Sequence, residues 1–223
     1  MLYALGDPLS LVLLLVSFLL AVTLHGWVTS VVAKREGDRA VVAERRTAPD
    51  PRRHVDPFGA VAAAIAGIGW ARPVEPPDRR RRPAMVKVLL AGAVANLVVG
   101  LGALAAFGVL YGGIRLGSPS RLLQSGVDLD LGARALLVLG LANLMTGLLA
   151  LVPIPPLPGG RLLFGLAPRS PGWQKAEYQL VERNIGIAVL LALLLIPLGG
   201  PQALLPTLLD TLAGPLVRLV TGA

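Results

Sequence analysis

Cysteine is absent from this 223-residue chain, histidine occurs twice, and aromatic residues make up only 4%. The first absence removes disulfides and any thiolate metal site. The second limits imidazole chemistry to His25 and His54. Charged residues are also few, at 15%, where soluble domains carry about 25%. What replaces them is apolar: 54% of the chain is hydrophobic and the mean hydropathy is +0.69. A membrane bundle of this length leaves no room for a sizeable soluble domain, so residues 1–223 read as a single integral membrane domain. Arginine far outnumbers lysine, and Ala, Leu, Gly, Pro and Val dominate, a bias typical of a G+C-rich bacterial genome.

The net charge of +8 does not point to nucleic acid. Lys and Arg concentrate in residues 34–53 and 72–87, including the run Arg79-Arg80-Arg81-Arg82. Both stretches flank apolar runs, where basic residues fix topology and touch the anionic headgroups of membrane lipids. Aromatic residues for base stacking are not interleaved with them.

Residues 9–33 form the first apolar run, long enough to cross a hydrocarbon core of about 30 Å. No basic residue precedes it, while Lys34 and Arg35 follow, the reverse of a cleavable signal peptide. The expectation is a retained span with the N-terminus outside, in the cell membrane. Residues 56–73 hold an apolar stretch too short to cross, with basic loops on both sides, and read as a re-entrant segment. Residues 85–111 span outward, 112–130 form an external loop, and 133–152 span back. Residues 185–198 and 203–220 look like a helical hairpin whose second arm either spans or lies at the interface. The predicted fold is therefore an all-α, multi-pass bundle of about four to six transmembrane helices.

Within residues 85–111, Gly92, Asn96 and Gly100 recur every four residues beside Ala91 and Ala95, a stripe suited to close helix packing. Asn96 and Asn143 are expected to face the bundle interior, most simply as interhelical glue. Asn184 reads as a helix N-cap. The segment 148–161, L-L-A-L-V-P-I-P-P-L-P-G-G-R, places four prolines and two glycines at the edge of a span. Non-helical backbone there is tolerated where it is buried in protein or lines a cavity. The reading is an extended Pro/Gly strip forming one wall of an intramembrane site, with mid-span His25 opposite.

Six motifs occur in order: His25-Gly26-Trp27-Val28-Thr29, Gly37-Asp38, His54-Val55-Asp56-Pro57-Phe58-Gly59, G-W-A-R-P-V at residues 69–74, Ala91-Gly92-Ala93-Val94-Ala95-Asn96, and P-I-P-P-L-P-G-G-R at residues 153–161. Together they resemble the site-2 protease family, the intramembrane zinc metalloproteases, across residues 24–164. The first motif stands where that family carries H-E-x-x-H, whose histidines bind zinc and whose glutamate activates water. The resemblance implies a third ligand, the aspartate of P-P-L-D-G. This chain has Gly26 for the glutamate, Thr29 for the second histidine, Pro158 for the aspartate, and Ala150 where the family has an asparagine. His25 is the remnant of the zinc-site position.

The resemblance thus implies an inactive pseudoenzyme with no catalytic residue, no metal ligand set and no cofactor. Its retained scaffold would bind or shelter a transmembrane client along a groove of Pro153, Pro155, Pro156, Leu157, Gly159, Gly160 and Asn96. Client and extended strip would pair through backbone hydrogen bonds. Two alternatives stay open. One is an active zinc endopeptidase with relocated ligands, drawn from His25, His54 and Asp56. The other is a structural or transport-associated membrane protein, although paired intramembrane acids and bases are lacking.

Overall fold

The computed structural model describes residues 1–112, 116–197 and 202–222, apart from the side chain of Arg79. Its helices are α1 (Pro8–Arg35), α2 (Ala40–Ala43), α3 (Pro51–His54), α4 (Pro57–Ala66), α5 (Arg82–Tyr111), α6 (Pro119–Ser125), α7 (Leu131–Ala150), α8 (Pro158–Leu166), α9 (Pro171–Glu177), α10 (Ile185–Leu195) and α11 (Leu204–Thr221). No sheet is formed among the described residues; one antiparallel bridge joins Val55 and Ala71. Four helices, α1, α5, α7 and α11, are long and apolar enough to cross a membrane. A fifth span results if residues 171–182 and α10, bent by 71° at their junction, count as one. The protein is an all-helical, multi-pass membrane bundle.

Local sequence explains where these helices begin. An aspartate precedes a proline at the start of α1, α3 and α4. Asp7 accepts from the N–H of Ser10, Asp50 from Arg52 and Asp56 from Gly59, while the proline fills the first helical position, where no N–H is needed. Asp130 caps α7 through the N–H groups of Gly132 and Ala133. Asn184 stands at the N-cap of α10 in a left-handed conformation (φ 56°), but its side chain makes no capping bond.

Helices α1, α5 and α7 form the centre of the bundle. Lipid tails are as apolar as leucine, so helix association there depends on close packing and polar ties rather than on burial from water. Both devices are present. A Cβ on Gly92 would lie 2.5 Å from Thr29 Oγ1, and one on Gly100 would lie 2.5 Å from the amide nitrogen of Leu144, so α5 approaches α1 and α7 through its glycines. Asn96 is fully buried and donates to the carbonyl of Ala21 (3.0 Å) and to Asn143 Oδ1 (3.3 Å), tying the three helices together. Asn96 is therefore an interhelical clamp.

The two ends of the bundle differ in charge. At one end Glu36 pairs with Arg81 (3.6 Å) and Lys87 (3.3 Å), so the basic segments 34–53 and 72–87 meet. At the other end buried Arg134 on α7 holds Asp7 (2.9 Å) and Asp128 (3.1 Å) and donates to the carbonyl of Leu129 (3.2 Å). The segment 56–73 leaves and returns: α4 runs 10 residues, Gly67 turns it with φ 75°, and the Val55–Ala71 bridge brings its ends together. Segment 112–130 is not a plain loop, because it contains α6, which packs on α4, α7 and α11. Helix α11 is anchored twice near this end, by Asp210 with Ser118 and Ser120 and by Thr221 against Gly108 of α5. Of the apolar segment 185–198, α10 covers Ile185–Leu195 and Leu198 lies outside the described residues, as do 199–201 of the linker.

The Pro/Gly segment departs from expectation. Residues 151–157 make consecutive turns, with the N–H of Ile154 bonded to the carbonyl of Val152 (2.8 Å) and that of Leu157 to Ile154 (3.1 Å). Pro158 then opens α8, which contains Gly159 and Gly160. The strip is folded, not extended. Its glycines serve close approach: a Cβ on Gly159 would collide with the backbone of Leu151, and one on Gly160 with Ile154 and Pro155.

Replacing Arg134 by leucine removes the clamp between α1 and α7 and is expected to cost about 1–3 kcal/mol, through the lost charge-assisted hydrogen bonds. The thermal midpoint of the purified protein in detergent should fall accordingly. Asp128→Ala, at a fully exposed carboxylate, should change it little.

Candidate functional site

Helix α7 has 20 residues where α1 has 28 and α5 has 30. At 1.5 Å per residue it stops about 12–15 Å short of them. Both α1 and α7 are pinned near their N-termini by Arg134, so α7 ends at the depth of the second half of α1. The turns at residues 151–157 therefore lie beside His25, Gly26 and Thr29 rather than at the bundle's edge. A cavity of about 20 Å³ results, lined by His25, Gly26, Thr29, Leu89, residues 71–74, Pro156, Pro158 and Arg161. That is room for about one water molecule.

The four positions that the sequence resemblance singled out, 25, 26, 29 and 158, thus converge on one cavity. Three polar atoms around it have no hydrogen-bond partner: His25 Nδ1, Thr29 Oγ1 and Arg161 Nε. His25 is only 6% exposed. Pro156 shares the cavity with it, so His25 and the folded proline segment do face each other. The rest of that segment is disposed differently. Pro153 is exposed, while Pro155, Leu157, Gly159 and Gly160 are buried, Leu157 completely. The Pro155 carbonyl is covered by Gly186 of α10. Leu157 is a core residue, and the turns use backbone groups that an extended strip would have offered to a client.

His54 occupies the space beside Gly26. A Cβ on Gly26 would stand 2.5 Å from His54 Nδ1 and 2.9 Å from its Cγ. His54 is fully buried, and its Nε2 lies 2.9 Å from the carbonyl of Ala48. Burial pushes its pKa below the ordinary histidine value, against the opposing effect of that carbonyl. The neutral ring then carries its proton on Nε2 and leaves Nδ1, which has no partner, against the glycine. The imidazole fills the volume through which a side chain at position 26 would have to grow.

An extended strap, residues 71–75, closes the cavity on another side. Buried Arg46 donates to the carbonyls of Arg72 (2.7 Å) and Pro73 (2.8 Å), and the carbonyl of His54 accepts from the N–H of Arg72 (2.7 Å). Arg161 pairs with Glu75 at 3.1 Å. Beyond the strap lies a wider polar cavity of about 360 Å³, which shares Arg72, Pro73, Val74, Pro156 and Arg161 with the small one and also takes in Asp38, Glu44 and Asp56. It forms a vestibule at the basic end of the bundle.

A catalytic zinc needs three protein ligands and an open position. The cavity supplies one imidazole, one neutral hydroxyl, and Gly26 and Pro158, which have no ligating group. The site's volume would also have to grow against His54 and the strap. These residues do not fit a zinc ion. The relocated set is not assembled either: Asp56 Oδ1 accepts from the N–H of Gly59 (2.9 Å), and no three His, Cys, Asp or Glu residues gather among the described residues.

Helices crossing a membrane, a re-entrant segment, and a proline turn meeting mid-span histidine at one depth define an intramembrane metallopeptidase scaffold. The chain is 34% identical over 203 residues to the protein described as "Putative zinc metalloprotease YwhC" from Bacillus subtilis (strain 168), covering 86% of this chain and 85% of that one. The chain belongs to the site-2 protease family. No family profile matches it, and no solved structure does.

Sequence reasoning singled out both histidines but not their arrangement around Gly26, nor Arg46 as the pin of the strap. A signal for the first was present, since a glycine at the glutamate position frees volume that another side chain must fill. Overpacking of this kind is expected to cost about 1–3 kcal/mol. Gly26→Ala should therefore lower the thermal midpoint alone, and lower it much less in a His54→Ala background. Additive effects of the two substitutions, measured as a double-mutant cycle, would contradict the contact.

Proposed function

We propose that this chain is a non-hydrolytic member of the site-2 protease family that holds or shelters a transmembrane client. The observation that carries this reading is the cavity itself, in which positions 25, 26, 29 and 158 converge with one imidazole and no base, and His54 stands where a glutamate would extend. Hydrolysis needs a positioned nucleophilic water and a group within hydrogen-bond reach to take its proton. His25 alone cannot hold a metal in tetrahedral geometry and also serve as base. The family scaffold remains: short α7, the re-entrant α4, and the vestibule at the basic end. A client's juxtamembrane segment would lodge in that vestibule, against Pro153, Pro156 and the strap, while lipids surround the exposed faces of α1 and α5.

Elemental analysis of the purified chain tests the reading, with less than about 0.1 zinc per chain expected. About one zinc per chain, lost on His25→Ala, would replace it with an active peptidase. The geometry also predicts what reconstruction requires. Gly26→Glu, Thr29→His and Pro158→Asp together should not bind zinc while His54 fills the space beside position 26. Adding His54→Ala to those three should allow one zinc per chain to bind. For the client, a photo-crosslinker at exposed Pro153 should capture a membrane protein, and one at lipid-facing Leu15 should not.

We infer that the basic end faces the cytoplasm and the N-terminus lies outside, on the charge asymmetry of the two ends. The native chain has no cysteine, so single cysteines report sidedness directly. Cysteines at positions 40 and 80 should label from the cytoplasmic side and one at 121 from the outside. Labelling of 40 and 80 from opposite faces would overturn the topology.

A further inference from the structure

Arg80 and Arg82 at the entry to α5, and Arg169 just beyond α8, line a cavity of about 480 Å³ together with Gly165, Leu166, Ala167 and Pro168. No acidic residue lines it. This separates it from the vestibule, where four acids offset three arginines. Arg81, between the two lining arginines, is turned away to Glu36. The first turn of α5 has no acidic residue, and the nearest acid along the chain, Asp78, is engaged by the N–H of Arg80 (2.8 Å).

The surroundings are apolar on one side. Helix α8 packs on α5, with Gly165 against the sulfur of Met85, which fixes the arginine pair relative to Arg169. Leu166, which lines the cavity, is exposed, as are Leu163 on the same helix and Trp173. Trp173 is held edge-on to Phe164, ring centroids 5.8 Å apart. An exposed tryptophan near arginine at the end of a membrane bundle marks the headgroup level. A basic pocket between helices at that level suits a lipid phosphate, with the acyl chains running along the leucines.

We propose that this cavity is a binding site for the headgroup of an anionic phospholipid, with Arg80, Arg82 and Arg169 converging on its phosphate. The apolar rim selects a lipid over a free anion, because a soluble anion gains nothing from exposed Leu166 and Trp173. The site is remote from the His25 cavity and does not depend on whether the chain binds a client or cleaves one. Occupancy would fasten the start of α5 to α8, and so set the position of the turns that precede α8.

Native mass spectrometry of the full-length purified protein, delipidated and then titrated with phosphatidylglycerol or phosphatidylcholine, tests the proposal. One phosphatidylglycerol should be retained in strong preference to phosphatidylcholine. Changing Arg80, Arg82 and Arg169 together to glutamine should weaken that retention on the order of tenfold to a hundredfold, at about one decade or less per guanidinium. Changing exposed Arg39, Arg45 and Arg52 to glutamine, an equal loss of charge in the other basic segment, should leave it within about twofold. Equal retention by the two triple variants would overturn the site. If the first triple variant does not fold, Arg169→Gln and Arg169→Lys decide: the glutamine should weaken retention and the lysine largely keep it, and equal loss in both would overturn the phosphate assignment. Inorganic phosphate at millimolar concentration should not displace the lipid; displacement by it would make this a free-anion site. Brominated phosphatidylglycerol should quench the native protein more than the Trp173→Phe variant, and equal quenching of the two would overturn the placement.

Discussion

Close approach of α1, α5 and α7 is the constraint from which the rest of the structure follows. In lipid this approach cannot be driven by burial from water, so it requires small residues at the contact and polar groups that find each other. Gly92 and Gly100 supply the first, and the Asn96 clamp to Ala21 and Asn143 the second. With the three helices held and Arg134 pinning the N-terminal ends of α1 and α7, the shorter α7 must stop inside the bundle. Its stopping point sets the depth of the proline turns and therefore of the His25 cavity.

The cavity is small because three elements close on it. His54 enters beside Gly26, the strap at residues 71–75 is pinned by Arg46, and Pro156 and Pro158 form the remaining wall. Each closure depends on a side chain being short or absent. A residue larger than glycine at 26 would expel His54, and with it the carbonyl that accepts from Arg72 at the base of the re-entrant segment. At position 26 the fold has packed around the glycine.

Polar groups at the bundle's ends divide the labour differently. The aspartate–proline starts of α1, α3 and α4 are local devices that need no partner from elsewhere. Arg134 and Glu36 are long-range ties joining segments far apart in sequence. Arg80, Arg82 and Arg169 are a third kind, gathered by the packing of α8 on α5 without an acidic partner lining their cavity.

Hydrophobic run lengths, flanking charges and proline positions made the membrane class, the main apolar helices and the short apolar helix within residues 56–73 legible from sequence, because each depends on neighbours along the chain. The ordered motifs likewise carried the family. Tertiary structure decided the rest. Prolines and glycines at 153–160 suit extended backbone and tight turns equally well, and only packing against α10 and the end of α7 selects the turns. Asn96 ties helices through the Ala21 carbonyl, a contact that depends on how α5 packs against α1. Whether two histidines 29 positions apart would meet depended on how the re-entrant segment returns to α1, a long-range contact that no local pattern encodes.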